Sequence, residues 1–504
     1  MELQEIKEKL KEMYGGENKP ITDGNYDPSL AVKFINGTFV GRKTENITVF
    51  RGIPYVGKQP VGELRWKAPV DVTPCDGVYE AYYNSKSAYG NPGFEVGSIY
   101  YQDEDCLYLN VWRADECSAR PKDACKARME KKPVMVWIHG GAFESGGTID
   151  PMFDCINFVK ENPDVIVVTI AYRLAFMGFL HLSHLSDGKD YTDSQNLGLL
   201  DQVKALKWVH ENIAAFGGDP DNVTIFGESA GAGSCTLIPL IPGSHQYFKR
   251  VIAQSGAPAQ TRSTGQAIAC TDNLMEVLGC KTVADLLNLS ADELMKAWAP
   301  LLGLYNVLGI RTFPERDGKY LPLNPWEAYA NGAAKDIGFL QGCDKDEMNT
   351  FMGALGVDAW NAWAGKRTAE KLAQLTDKEK ALVGSYLNDI QGKSYEPTVN
   401  LFSQMMFIAP QIRLSDEQTK AGGRCTPTTT GLNPPSRTSR PDMRQSCPWY
   451  SPIRRSGSSR EEHTTKPSRR PCARCGYSLP RPATRRSAPT SPPTARRSSG
   501  RSTT

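Results

Sequence analysis

A serine set between two glycines is the part of this chain best suited to chemistry. Gly227-Glu228-Ser229-Ala230-Gly231 follows the β-branched run Val223-Thr224-Ile225 and Phe226, and leads into Ala232-Gly233-Ser234. The order is strand, sharp turn, helix, with the serine at the apex. Glycines two places to either side let the chain bend tightly enough to push the hydroxyl out of the sheet edge. Taken alone, the pattern also fits a glycine-rich turn that happens to hold a serine. Acyl transfer through a serine needs a base, a group that orients the base, and donors for the oxyanion. The donors would be backbone N–H groups. One is that of Ala230, directly after the serine. The others are those of Gly140 and Gly141 in His139-Gly140-Gly141-Ala142-Phe143, which follows the run Val134–Ile138. A side chain in that loop would block the approach of the backbone to a substrate oxygen. His139 is the tempting base, but a histidine in this kind of loop is read as structural.

The surrounding elements must hold these two turns together. Val134–Ile138 and Val165–Ile170 are β-branched runs suited to strands covered on both faces. Leu199, Val203, Leu206, Val209, Ile213 and Phe216 mark one face of a helix that ends at Gly217-Gly218. Asp219-Pro220-Asp221-Asn222 then turns the chain into the strand before Ser229. Val251–Ala253 and Ile337–Leu340 predict further strands. Strand–helix alternation implies an α/β layer fold with a mainly parallel central sheet flanked by helices. Residues 260–335 read as more helical, a cap region.

Composition divides the chain near residue 420. The whole carries 59 Lys+Arg against 56 Asp+Glu, but residues 421–504 hold 17 basic and 3 acidic residues and 13 of the 34 prolines. The body, 1–420, is therefore acidic and the tail, 421–504, basic. The hydrophobic fraction of 40% is low for 504 residues because of that tail. From about Arg424 no apolar face can be drawn, and the tail is expected to be disordered. Leu3, Ile6, Leu10 and Met13 fall at helical spacing. The charged N-terminus lacks an apolar signal core and no segment has the length of a membrane span, so a cytoplasmic location is expected. Thirteen cysteines, an odd number, force no disulfide framework in a chain this long.

Several further motifs occur in a fixed order. They are Phe50-Arg51-Gly52-Ile53-Pro54-Tyr55 with Pro60–Trp66, Glu104-Asp105-Cys106-Leu107-Tyr108-Leu109-Asn110-Val111, Asn196–Gln202, Phe216–Pro220, and Gln254-Ser255-Gly256. With these, residues 30–420 resemble the type-B carboxylesterase and cholinesterase family of α/β-hydrolases. The resemblance implies an α/β-hydrolase fold and a serine esterase acting on a small-molecule ester. It implies no metal and no cofactor. It implies a glutamate as third triad member in Gly342-Cys343-Asp344-Lys345-Asp346-Glu347, where Glu347 aligns with the acid and Asp346 is the alternative. Relatives usually carry Gly where this chain has Met348, so the turn there is expected to differ. The family also implies disulfides joining Cys75 to Cys106 and Cys270 to Cys280, which a reducing cytoplasm would keep as thiols. Glu228 is typical of the family and is read as structural. A non-catalytic binding protein on the same fold is the other class, although such proteins often lose the nucleophile.

The base is missing. The family places it about a hundred residues after Glu347 in a Gly-His motif followed by an apolar run. None of His139, His181, His184, His210, His245 and His463 sits in such a motif. His463 is near the expected distance but has no strand before it. The tail, read in the frame displaced by one base toward the start, suggests why. Cys425–Thr429 then permits Val-Tyr-x-Tyr-Tyr. Asp442–Ser451 permits His-Ala-x-Val-Leu-Pro-Met-Val-Phe, and Cys472–Arg486 permits a segment like the family's C-terminal helix and turn. The rival reading is a basic tail that binds nucleic acid or acidic surfaces, or zinc through Cys425, Cys447, Cys472 and Cys475, whose upstream spacing does not suit a zinc ribbon. A single-base deletion near Gly423-Arg424 accounts for all three segments at once. Sequencing the gene around codon 424 checks it: an uninterrupted frame unable to encode that histidine motif ends the idea.

Overall fold

The β-branched runs of the sequence become the middle of one large sheet. A computed structural model of the chain describes residues 16–91, 101–115, 131–305, 312–373, 376–390 and 397–430. The sheet strands are β1 (Arg42–Thr44), β2 (Ile47–Pro54), β3 (Tyr108–Ala114), β4 (Lys132–Ile138), β5 (Ile166–Ile170), β6 (Gly218–Glu228), β7 (Arg250–Gln254), β8 (Gly338–Asp344) and β9 (Arg424–Thr430). Their spatial order is β9-β8-β7-β6-β4-β5-β3-β2-β1. Pairing is parallel from β9 through β5 and antiparallel from β5 through β1. The sheet is therefore mixed, with its parallel half carrying the elements around Ser229.

Alternation along the strands explains why both faces are covered. Val134, Val136, Ile138, Val168, Ile170, Val223 and Ile225 enter one core cluster, whereas Met135, Trp137, Val167 and Phe226 enter another. Successive side chains of a strand point to opposite faces. Near-continuous apolar runs thus fit a sheet sandwiched between layers. Helix α1 (Leu197–Asn212) continues as a 3₁₀ turn to Phe216 and stops at Gly217, whose φ of 84° is the left-handed conformation that suits glycine. The segment Asp219–Asn222, expected as a turn, is a break in register between Gly218 and Val223 within β6. Residues 264–305 are largely helical, as expected for 260–335. A second helical region, Val357–Lys420, has no counterpart in the sequence reading.

The last strand of the sheet follows residue 420. Strand β9 pairs in parallel with β8 over seven positions, Gly338 with Arg424 through Asp344 with Thr430. It lies at the sheet edge, where Pro427, which lacks an N–H, is tolerated. Backbone pairing and β-branched threonines suffice there without an apolar face. Residues 431–504 and the expected helix over Leu3–Met13 lie outside the described residues, as do the proposed tail functions and His463.

The recurrent motifs serve packing. Asp201 of Asn196–Gln202 lies fully buried against Arg173, at 2.6 Å from Nη2 to Oδ1 and 2.8 Å from Nε to Oδ2, and also accepts the Arg173 N–H. Arg173 Nη1 donates to the Lys67 carbonyl at 2.8 Å. Arg65 pairs with Glu104 and donates to the Leu289 carbonyl, and Trp66 Nε1 donates to the Phe176 carbonyl at 2.8 Å. Neither family-implied disulfide is formed: Cys75 is an exposed thiol beside the Tyr79 hydroxyl, Cys106 is a buried one, and Cys270 and Cys280 are not bridged. Burial pushes the Cys106 thiol well above its usual range.

Arg173→Ala leaves Asp201 as an uncompensated buried charge. The expected loss is about 3–5 kcal/mol of folding free energy, read as a lower urea midpoint at unchanged m-value.

Candidate active site

The turn at Ser229 is held by its neighbours. Ser229 lies between the end of β6 and helix α2 (Ala230–Leu237), with φ 54° and ψ −121°. A non-glycine residue there is strained and persists only when its surroundings over-determine it. Its N–H donates to the Gln254 carbonyl and its carbonyl accepts from Gly233 N–H, both at 2.8 Å. The flanking glycines are required by contact. A Cβ on Gly231 would stand 2.0 Å from the Ile138 carbonyl oxygen, and one on Gly227 2.6 Å from the same oxygen. Ser229 itself is partly accessible.

The loop after β4 folds back toward that turn. Gly141, Ala142 and Phe143 all have positive φ, 103°, 58° and 61°. The Gly141 carbonyl accepts from both Glu144 and Ser145 N–H at 2.9 Å. Fully buried Phe143 anchors the loop edge-on to Phe179 and Phe313. A Cβ on Gly140 would lie 2.7 Å from the Glu228 carbonyl oxygen and 3.2 Å from Ser229 Cβ, so this loop and the serine turn are in contact. Among the described residues, the N–H groups of Gly140 and Gly141 donate to no backbone carbonyl. Ala230 opens α2, where an N–H has no acceptor within the helix. Gly140 thus stands against Ser229, Ala230 follows it directly, and Gly141 lies next in the same loop.

His139 is packed into the base of the glycine loop. It is buried, its ring stacks on Tyr172 at 4.4 Å, and Nδ1 lies 2.9 Å from the Gly140 carbonyl. Burial lowers it to about 4, so the ring is neutral. The Tyr172 hydroxyl donates to its carbonyl at 2.8 Å. Its work is to hold the glycine loop.

Glu347 is the carboxyl that turns inward. It is fully buried, whereas Asp346 is only half-buried. Oε1 accepts the Asp344 N–H at 2.8 Å, and the Ser255 side chain acts on the same carboxyl to favour its charged form. Oε2 is buried without a hydrogen-bond partner among the described residues. Met348, where relatives carry Gly, adopts ordinary helical dihedrals, φ −80° and ψ −3°. Its side chain is buried with Trp360, Phe402 and Phe407, and its N–H donates to Ser403 Oγ at 3.0 Å. The position needs no glycine here.

Three acids meet at this place. Burial raises Glu347 to about 7, against the pull of the Ser255 hydroxyl and the Asp344 N–H. Burial likewise raises Glu228 to about 8, and the charges of Glu347 and Asp344 push it the same way. Glu228 retains a little accessible area but is otherwise packed in protein. Asp344 and Ser255 had no role in the sequence reading. Ser255 carried a signal: like Ser229 it follows a parallel strand, it stands directly before Gly256, and its φ is 56°.

No histidine reaches these acids among the described residues. His181 binds Glu315, His184 binds Asp272, His245 meets the Pro239 carbonyl, and His210 lies beside the Tyr247 ring. His463 is outside the described residues.

The carboxylesterase family profile matches residues 28–427. This chain belongs to the carboxylesterase family. It is 36% identical over 402 residues to the para-nitrobenzyl esterase of Bacillus subtilis (strain 168), covering 76% of this chain and 74% of that protein. It is 33% identical over 350 residues to the acetylcholinesterase of Leptinotarsa decemlineata, covering 64% of this chain and about half, 54%, of that protein. The solved carboxylesterase of Geobacillus stearothermophilus superposes with a TM-score of 0.69 at 35% identity, covering 81% of each chain. The fold is thus the α/β-hydrolase fold. Among the described residues no helix is long and apolar enough to cross a membrane.

A carboxyl raised in the fold binds its proton more tightly there than in the unfolded chain. The stability tied to Glu347 is therefore present below pH 4.5 and lost as pH climbs through about 7, and Glu228 extends the loss to about 8. Glu347→Gln is expected to remove part of this loss, stabilising the chain at pH 8 relative to pH 5 by on the order of 1–3 kcal/mol, measured by urea unfolding at both pH values.

Proposed function

We propose that the fold is that of a serine carboxylic-ester hydrolase in which Ser229 is the nucleophile, and that this chain is impaired because its base is missing. The observation that carries the reading is the contact of the Gly140 loop with a strained, partly accessible Ser229. In an intact member, Ser229 Oγ attacks the ester carbonyl while a histidine takes its proton. The amides of Gly140, Gly141 and Ala230 stabilise the oxyanion. Glu347 orients the histidine and stabilises its charged form. The histidine then protonates the leaving alcohol, and water releases the acid by the reverse route.

Two observations support impairment. The buried Oε2 of Glu347 has no partner among the described residues, although a triad acid uses such an oxygen to hold imidazole N–H. The family match also ends at residue 427, three residues before the end of β9 and just after the codon proposed to be lost. We infer that the chain from about Gly423 is read out of frame, so that the ancestral histidine is absent. The absence of a base also keeps a non-catalytic binding protein as the second reading.

The name of the Bacillus relative makes an aryl ester a suitable probe. The 504-residue chain is expected to hydrolyse a short-chain nitrophenyl ester about 10⁴- to 10⁶-fold more slowly than a chain with the frame restored at codon 424. In the restored chain, Ser229→Ala should remove the activity. Brisk turnover by the present chain, abolished by Ser229→Ala, overturns the impairment. No turnover by the restored, folded chain overturns the esterase reading.

A further inference from the structure

A second serine outside the described site has the partners that Ser229 lacks. His181 follows the buried Phe179-Leu180 pair, and Ser183 stands two residues on. His181 Nδ1 lies 2.8 Å from Glu315 Oε2, and Ser183 Oγ lies 3.1 Å from His181 Nε2. The carboxylate accepts, so Nδ1 carries the proton and donates to Glu315. In the neutral ring Nε2 is then left as acceptor for the Ser183 hydroxyl.

The orienting acid is fixed on every side. Glu315 is fully buried, and its other oxygen accepts the Thr264 hydroxyl at 2.6 Å. Its N–H donates to Asn196 Oδ1 at 2.8 Å, and its carbonyl accepts from Asn196 Nδ2 at 2.9 Å. The loop that carries the serine is fixed too. The His181 N–H donates to Thr271 Oγ1 and the Leu182 N–H to Ser194 Oγ. His184 bridges the His181 carbonyl and Asp272. Ser183 is only half-buried, and the His181 side chain keeps 13% of its area accessible. A packing histidine needs one partner. This one joins the hydroxyl of a half-buried serine to a locked carboxylate.

We propose that Ser183, with His181 as base and Glu315 as its positioning acid, is a second nucleophilic serine that takes phosphonyl or acyl groups from donors with good leaving groups. Toward an alkyl fluorophosphonate, the Ser183 Oγ–P bond forms and the P–F bond breaks. Fluoride leaves with its electron pair, and the hydroxyl proton passes to His181 Nε2. Toward an activated aryl ester, the Oγ–acyl bond forms, the aryl C–O bond breaks, and the phenolate departs. The restriction to good leaving groups follows from chemistry: this serine has a base but, among the described residues, no amide cradle of the kind beside Ser229.

The test uses the full chain carrying Ser229→Ala, treated with a fluorophosphonate and mapped by mass spectrometry. The expected result is a single adduct on Ser183, absent in Ser183→Ala and formed at least tenfold more slowly in His181→Gln. The Glu315→Gln variant should slow it as well, with thermal unfolding recorded for each variant. No adduct on Ser183 in the folded Ser229→Ala chain overturns the proposal. So does a Ser183 adduct whose rate His181→Gln leaves unchanged, which would mark an ordinary exposed serine. The outcome is independent of the esterase reading, because Ser229 is replaced in every chain tested and only the adduct on Ser183 is scored.

Discussion

The structure depends on the approach of one glycine to one carbonyl. Gly231 sits where any β-carbon would stand 2.0 Å from the Ile138 oxygen. That contact lets α2 start directly over the end of β4. The same strand end launches the Gly140 loop, so the two halves of the site hang from one point. Strain of the kind held at Ser229 costs on the order of 1–3 kcal/mol. It is kept by bonds from Gln254 and Gly233 on either side of the residue. Ser229 and the Gly140 loop beside it are therefore positioned by backbone contacts, not by the flexible side chains around them.

Electrostatics divide the buried polar groups into complete and incomplete sets. Arg173 and Asp201 satisfy each other through two parallel bonds and use their remaining valences on backbone groups. Glu315 is equally satisfied by His181, Thr264 and Asn196. The carboxyls of Glu228, Asp344 and Glu347 are gathered together, and burial raises two of them, Glu347 to about 7 and Glu228 to about 8. Burying like charges together is tolerable only where protonation or a positive partner relieves it.

The far edge of the sheet separates what backbone can do from what side chains must do. Strand β9 keeps register with β8 along its whole length although it reads Arg-Cys-Thr-Pro-Thr-Thr-Thr. Parallel pairing uses main-chain groups that every residue but proline supplies. An edge strand can therefore form from a segment whose composition belongs to the tail. A catalytic histidine has no such tolerance, since only one side chain at one position can do its work.

Local patterns in the sequence determined the elements and the main turns: the β-branched runs, the stripe of helix α1 with its stop at Gly217, the serine between glycines and the glycine loop. Each is a property of neighbours in the chain, so spacing and residue type were enough. Tertiary structure decided the rest. Glu347 and Asp346 are adjacent acids, and only the hydroxyl of Ser255 and the amide of Asp344 select the one that turns inward. Met348 fits without glycine because Trp360 and Phe402 pack around it. His139 stacks on Tyr172 in a buried site, which agrees with its reading as a structural residue. Strand β9 formed from Arg424 to Thr430 because β8 offered backbone groups to pair with along its length. His181 and Glu315 lie 134 residues apart and meet only in the fold. Contacts of this range depend on where distant elements come to rest, and no pattern of neighbours encodes them.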